Sequence, residues 1–260
     1  MKWKIQSHES AIILEINSNK ANLHNPAFFQ DFNEALDQVD QAYPHKPLIL
    51  TAPGKIFSAG IDFSYCFDLF ERADQKEIEN WFEAYRGMML RLFTAPRLTV
   101  AAINGHTFAG GMILALCCDF RIAARGDFKY SINEVPVGVP MPSIYTEIIR
   151  FRLGNYAATE TILSGEVYAA EAAIDLHLIQ KTVEAKDLIS AALKQTQIIS
   201  PHAYLAYRHS KKMLQAPVLR AIQEISSSLE PETIKNICAP DSVKAQRAAF
   251  AKLQKTSARS

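Results

Sequence analysis

The chain has 260 residues, enough for one large domain or for one domain with a small appendage. Hydrophobic residues make up 48% of it, ample for a buried core, and its 28 Lys and Arg nearly cancel its 27 Asp and Glu. That balance argues against nucleic acid as a partner, since phosphate-backbone binding needs a basic face, and leaves room for a local basic groove holding a small phosphorylated ligand.

Residues 3–6 and 11–16 flank the polar tip His8-Glu9-Ser10 and predict a β-hairpin. The start of the chain is basic, but the apolar stretch 11–14 is too short for a secretory leader. Asn25-Pro26 is a helix-start signal, and Phe29, Phe32, Leu36 and Val39 then recur at helical spacing to about Gln41. A buried strand is predicted at 48–52, closed by Pro53-Gly54, and a long helix at 76–94. Residues 98–118 are long enough to span a membrane, but Asn104, Gly105, His106, Thr107 and Gly110-Gly111 interrupt the middle. Strand, turn and helix fit that segment better, so a soluble, cytoplasmic protein is expected. Short strands follow at 120–123 and 128–132, helices at 143–153, 156–163 and 169–176, and a last core strand at 178–183.

Beyond residue 187 the pattern is nearly all helical, punctuated by Pro201, Pro217, Pro231 and Pro240. The predicted organisation is an α/β core over 1–195 and a helical C-terminal region over 196–260, with no low-complexity linker and no legible repeat. Cys66, Cys117, Cys118 and Cys238 form no C-x-x-C pair and no histidine is spaced to complete a zinc site, so no metal is expected. Cys117 and Cys118 lie in an apolar run and read as buried thiols of a reducing compartment.

Three segments combine composition with a backbone suited to chemistry. In Phe57-Ser58-Ala59-Gly60-Ile61-Asp62, small residues at a strand exit let a ligand approach the main chain, where a free N–H such as that of Ile61 can donate to an oxyanion. An ordinary tight turn is the alternative, and Asp62 reads as a structural cap or ion-pair residue. In the segment 104–111, the glycines Gly110 and Gly111 open a helix whose unpaired N–H groups would face an acceptor. It is neither GxGxxG nor GK[ST], and glycines that allow close helix–strand packing are the alternative. His106 reads as a packing residue of that loop. In the segment 131–140, Glu134 is set among Val, Pro and Ile, surroundings that raise a carboxylate's pKa and suit it to proton transfer near neutral pH. A surface-loop glutamate or a structural ion pair is the alternative.

In order and content these segments resemble the crotonase (enoyl-CoA hydratase/isomerase) superfamily over nearly the whole chain. "FSAGID" is similar to the family's first oxyanion segment, "AAINGHTFAGGMILALCCDFRIAA" to the second, and "SINEVPVGVPMP" to its catalytic-carboxylate segment. The resemblance implies a spiral of ββα units with a C-terminal helical trimerisation region, as a homotrimer or a dimer of trimers. It implies an acyl-CoA thioester substrate, with coenzyme A arriving as part of it and no separate cofactor. The oxyanion donors would be the N–H groups of Ile61 and Gly110, with Ser58, Ala59, Gly60, Asp62, Gly111 and Ile113 around the substrate. The family's hydratases carry a second glutamate at the position of Ile113. With isoleucine there, a single acid/base at Glu134 suits the Δ3,Δ2-enoyl-CoA isomerases, which shift a double bond from 3-enoyl to 2-trans-enoyl thioester in unsaturated fatty-acid oxidation. The alternatives are other crotonase chemistry (thioester hydrolysis, decarboxylation or weak hydration) and acyl-CoA binding without catalysis.

Arg208, Lys211 and Lys212 could meet coenzyme A phosphates, although a solvated helix face is the expected reading. The turn at His177 is one where the family often has glycine, and His would be a costlier occupant if φ is positive. The C-terminal Ser-Ala-Arg-Ser is no convincing peroxisomal address.

Overall fold

The computed structural model describes residues 3–72, 75–226 and 230–257; the last three residues of the Ser-Ala-Arg-Ser terminus lie outside the described residues. The chain opens with the expected antiparallel hairpin, β1 (Lys4–Ser7) and β2 (Ile12–Glu15). Helix α1 (Pro26–Ala42) starts where the sequence signals it: the Asn25 side chain accepts from the Phe28 N–H, with Pro26 in the first turn. It buries Phe28, Phe29, Phe32, Leu36 and Val39.

The chain then makes one move three times: a strand in a large sheet, a short strand in a small sheet, then helix. The first turn is β3 (Leu48–Thr51), β4 (Ile56–Ser58), α2 (Phe63–Glu71) and α3 (Gln75–Phe93). The second is β5 (Thr99–Ile103), β6 (His106–Phe108) and α4 (Gly110–Cys117), and the third β7 (Phe120–Ala124), β8 (Tyr130–Ser131) and α5 (Ser143–Ser164). After α6 (Ala170–Asp175), β9 (Lys181–Val183) completes the large sheet, whose order is β1-β2-β3-β5-β7-β9. The small sheet is β4-β6-β8, parallel throughout. This is the ββα spiral that the resemblance implies. Helices α7 (Leu188–Thr196), α8 (Tyr204–Ser226), α9 (Glu230–Cys238) and α10 (Pro240–Ser257) follow. Among the described residues no helix is long and apolar enough to cross a membrane.

The central strands β3, β5 and β7 of the large sheet are fully or almost fully buried, so they read as continuous apolar runs. The small strands have two or three residues and no such signature, and β4 and β6 went unpredicted. Helix α2 was also unpredicted, because the dense aromatic run after Asp62 hides its period. The predicted strand at 178–183 contracts to Lys181–Val183; the backbone oxygen of Leu178 instead accepts from Arg121 Nε at 2.9 Å. His177 does take a positive φ, +60°. The predicted helices at 143–153 and 156–163 are the two halves of α5, broken at Gly154 where φ is +77°.

The solvated face expected at Arg208, Lys211 and Lys212 holds for the first and last, which are exposed. Lys211 is a correction. It is buried, and its ammonium donates to Asp119 Oδ2 at 2.8 Å and to the Arg97 carbonyl at 3.0 Å. The C-terminal helices pack back on the body: Phe250 of α10 packs against Phe63 of α2, with ring centroids 5.2 Å apart. The larger apolar cluster among the described residues runs from Trp3 to Val243, and a second lies between the large sheet and α7.

Candidate active site

The site is built at the C-terminal edge of the small sheet. Its register sets Ser58 beside Thr107, Thr107 beside Tyr130, and Phe108 beside Ser131. Two or three residues beyond each strand come Ile61, Gly110 and Glu134. Three segments distant in sequence therefore meet because successive turns of the spiral stack in parallel.

The first two segments touch. A Cβ on Gly60, whose φ is +82°, would stand 2.7 Å from the Gly110 nitrogen, so no other residue fits there. Ile61 forms a parallel bridge with His24: the His24 N–H donates to the Gly60 oxygen at 2.7 Å and the Asp62 N–H to the His24 oxygen at 2.9 Å. That pairing turns the N–H of Ile61 away from His24, and Ile61 lines the cleft. In α4 the N–H groups of Met112 and Ile113 donate to the Ala109 oxygen, which leaves those of Gly110 and Gly111 without an intrahelical acceptor. Ala109 precedes them with φ +50° and ψ −131°, a conformation that costs an alanine about 1–3 kcal/mol. Its own N–H donates to Ser131 O at 2.9 Å, which helps hold it there.

Glu134 follows β8, immediately before the 3-10 turn Val135–Val137, and lines the same cleft as Ile61. It is buried, and its Oε2 has no hydrogen-bond partner among the described residues. Burial pushes its pKa up to about 7, opposed weakly by a hydrogen bond from the backbone. The cleft it enters holds about 500 Å³ of empty space, counting its open mouth. Its walls are apolar: Ile113 of α4, Phe70 of α2, Trp81 of α3, Met141 and Ile237 of α9 among them.

Of the residues singled out in the sequence, Ile61, Ile113 and Glu134 line this cleft together. Gly110 and Gly111 form the first turn of α4, pressed against their surroundings: a Cβ on Gly111 would stand 2.3 Å from the Ser58 oxygen. Ala59 hydrogen-bonds through its N–H to the Ala21 oxygen at 3.0 Å. Ser58 turns inward, its hydroxyl donating to the Asn22 oxygen at 2.8 Å. Asp62 is the N-cap of α2, accepting from the Tyr65 N–H and from Asn25 Nδ2. His106 packs in its loop, its Nδ1 accepting from the Lys129 N–H at 3.1 Å. Sequence reading missed Tyr85 of α3 and Gln246 of α10, both of which line the cleft, and His24 behind them. Helical periodicity could place Tyr85 on a buried face, but nothing local signals that this face meets a ligand.

A sequence model of the enoyl-CoA hydratase/isomerase family matches residues 7–257. The chain belongs to this family. Enoyl-CoA isomerase/hydratase fer4 of Mycosarcoma maydis is 34% identical over 174 residues, which are 66% of this chain and 61% of that protein. Crotonyl-CoA hydratase of Syntrophomonas wolfei is 30% identical over 210 residues, 80% of this chain and 78% of that protein. Peroxisomal enoyl-CoA delta isomerase 2 of Arabidopsis thaliana is 31% identical over 134 residues; this match spans 51% of the chain and little more than half, 56%, of the plant protein. Among solved structures, human mitochondrial delta3-delta2-enoyl-CoA isomerase superposes with a TM-score of 0.84, covering 98% of this chain and 99% of that one at 21% identity, a likeness of fold. The relatives thus include both isomerases and hydratases, and the crotonase superfamily is common to them.

Proposed function

We propose that the protein is a Δ3,Δ2-enoyl-CoA isomerase acting on acyl-CoA thioesters in unsaturated fatty-acid oxidation. The observation that carries this reading is a single buried carboxylate in the cleft, Glu134, with one oxygen unpartnered among the described residues, beside Ile61 and with isoleucine, Ile113, where a second carboxylate would stand. Ionised Glu134 takes a proton from C2 of a 3-enoyl thioester. The C–H electron pair delocalises onto the thioester oxygen, and the N–H groups of Ile61 and Gly110 stabilise the resulting charge. The same carboxyl group returns the proton at C4, the carbonyl re-forms and the double bond settles between C2 and C3. A pKa of about 7 suits both halves, because the group must accept and then release one proton near neutral pH. Buried Ile113 offers water no activating base and keeps the carboxylate dry.

The chemistry calls for no metal or redox cofactor, since coenzyme A enters with the substrate. A homotrimer or dimer of trimers belongs to the same proposal. Exposed Tyr156 and Leu163 on α5, and Leu205, Met213 and Leu214 on α8, offer apolar surface for it; a monomeric mass by light scattering would refute it.

The test is turnover of a medium-chain 3-enoyl-CoA, followed by appearance of the conjugated thioester, with 2-enoyl-CoA offered separately for hydration. We expect isomerisation with negligible hydration, and a loss of about 10²–10⁴-fold in Glu134→Gln. Hydration outpacing isomerisation would instead favour the hydratase reading.

A further inference from the structure

The reaction above gives no task to a buried polar pair at the back of the cleft. His24 is wholly buried, and its backbone brackets Ile61. Its ring Nδ1 lies 3.1 Å from the Tyr85 hydroxyl and its Nε2 3.0 Å from Ser58 Oγ. Ser58 Oγ in turn accepts the Gly60 N–H at 3.1 Å and lies 2.8 Å from the Asn22 oxygen. A line of hydrogen bonds therefore runs from the first oxyanion segment through Ser58 and His24 to Tyr85. Its far end reaches the second segment, for a Cβ on Gly110 would stand 2.1 Å from the Tyr85 oxygen. Tyr85 also lines the cleft with Ile61 and Glu134.

We propose that Tyr85 is a third hydrogen-bond donor to the thioester oxygen as it becomes an enolate, with His24 as its positioning residue. Burial keeps every member of the line uncharged: it pushes the His24 pKa down to about 3 and the Tyr85 hydroxyl well above the ordinary phenol range. Tyr85 is thus a neutral donor and not a base. A neutral imidazole carries one ring proton, so proton accounting allows two arrangements. With the proton on Nε2, His24 donates to Ser58, Ser58 donates to the Asn22 oxygen, and Tyr85 donates to Nδ1. With the proton on Nδ1, His24 donates to the Tyr85 oxygen, Ser58 turns its proton to Nε2, and the Tyr85 proton is released to a ligand. A substrate oxygen that gains negative charge selects the second arrangement.

This inference rests on the enolate chemistry proposed above but not on which product forms, so its test is an equilibrium one. Acetoacetyl-CoA, whose enolate absorbs in the near ultraviolet, is bound to the wild type, Tyr85→Phe, His24→Leu and His24→Asn. We expect the wild type to favour the bound enolate. Tyr85→Phe lowers the bound enolisation constant by about 10²-fold, the scale of one oxyanion donor. His24→Leu lowers it too, and His24→Asn, whose amide nitrogen reaches the Nδ1 position, restores part of the loss. Site-specific 3-fluorotyrosine at position 85, nearly isosteric and a stronger donor, raises the enolate fraction, so the inference stays testable if Tyr85→Phe does not fold. Equal enolate in wild type, Tyr85→Phe and the fluorinated protein would overturn the role of Tyr85 alone. A wild type that binds acetoacetyl-CoA without any enolate would overturn the enolate reading and this inference with it.

Discussion

A largely buried carboxylate and a fully buried one have opposite surroundings in this molecule. Asp119, between α4 and β7, is surrounded by donors: the Thr99 N–H and hydroxyl, the Tyr207 hydroxyl and the Lys211 ammonium converge on Oδ2, and Arg152 reaches Oδ1 at 3.2 Å. Burial alone would raise its pKa, but the Lys211 and Arg152 charges override burial and hold it below the ordinary carboxylate range. Glu134 is buried as well, yet one of its oxygens has no partner among the described residues, and burial raises its pKa to about 7. The difference separates structure from chemistry. A saturated carboxylate stabilises its neighbours and has no capacity left for a substrate proton. An unpartnered one costs stability and remains free to move a proton.

Substitutions can break this comparison from either side. The largest stability effect is expected at the saturated site. Asp119→Ala leaves Lys211 and Arg152 without their counter-ion and should cost about 3–5 kcal/mol in urea unfolding; a loss below 1 kcal/mol would mean that this network is weakly coupled.

The opposite sign is expected at Glu134. Between pH about 4.5 and 7 the folded protein keeps a proton there that the unfolded chain has released, so stability falls as pH rises through that window. Glu134→Gln removes this penalty and should raise stability at pH 8 by at most about 3 kcal/mol, with little change at pH 4. Thermal midpoints at the two pH values measure it, and an equal shift at both would show that the carboxylate is not disfavoured by burial. The same titration should appear in catalysis, with kcat/KM rising through a midpoint near pH 7 as the base ionises. The smallest effect is expected at Asp62, a partly exposed carboxylate with a cap's partners: Asp62→Ala should cost about 1 kcal/mol.

What could be read in the sequence was whatever the chain keeps local. Glu134 lies beside Val135 and Pro136, so its apolar setting was visible within a few residues. Asn25-Pro26 and the strands at 48–51 and 99–103 carried their own signals, and so did the glycines that open α4. Two strands of the small sheet, β4 and β6, were not legible, because they are three residues long and pair only across turns of the spiral. Lys211 looked solvated because its partner, Asp119, is 92 residues away. His24 and Tyr85 are 61 residues apart and meet only through the packing of α3 against α1. Ile237 and Gln246 join the cleft only because the C-terminal helices fold back over it.

The most direct test of the central claim follows the proton itself. A 3-enoyl-CoA carrying deuterium at both C2 positions is isomerised in ordinary water, and the product is read by NMR or mass spectrometry. If Glu134 carries the proton from C2 to C4 in a dry cleft, product formed early in the reaction contains deuterium at C4, and Glu134→Gln forms almost none. Product with only solvent hydrogen at C4, or isomerisation that survives in Glu134→Gln, would contradict a single-carboxylate shuttle.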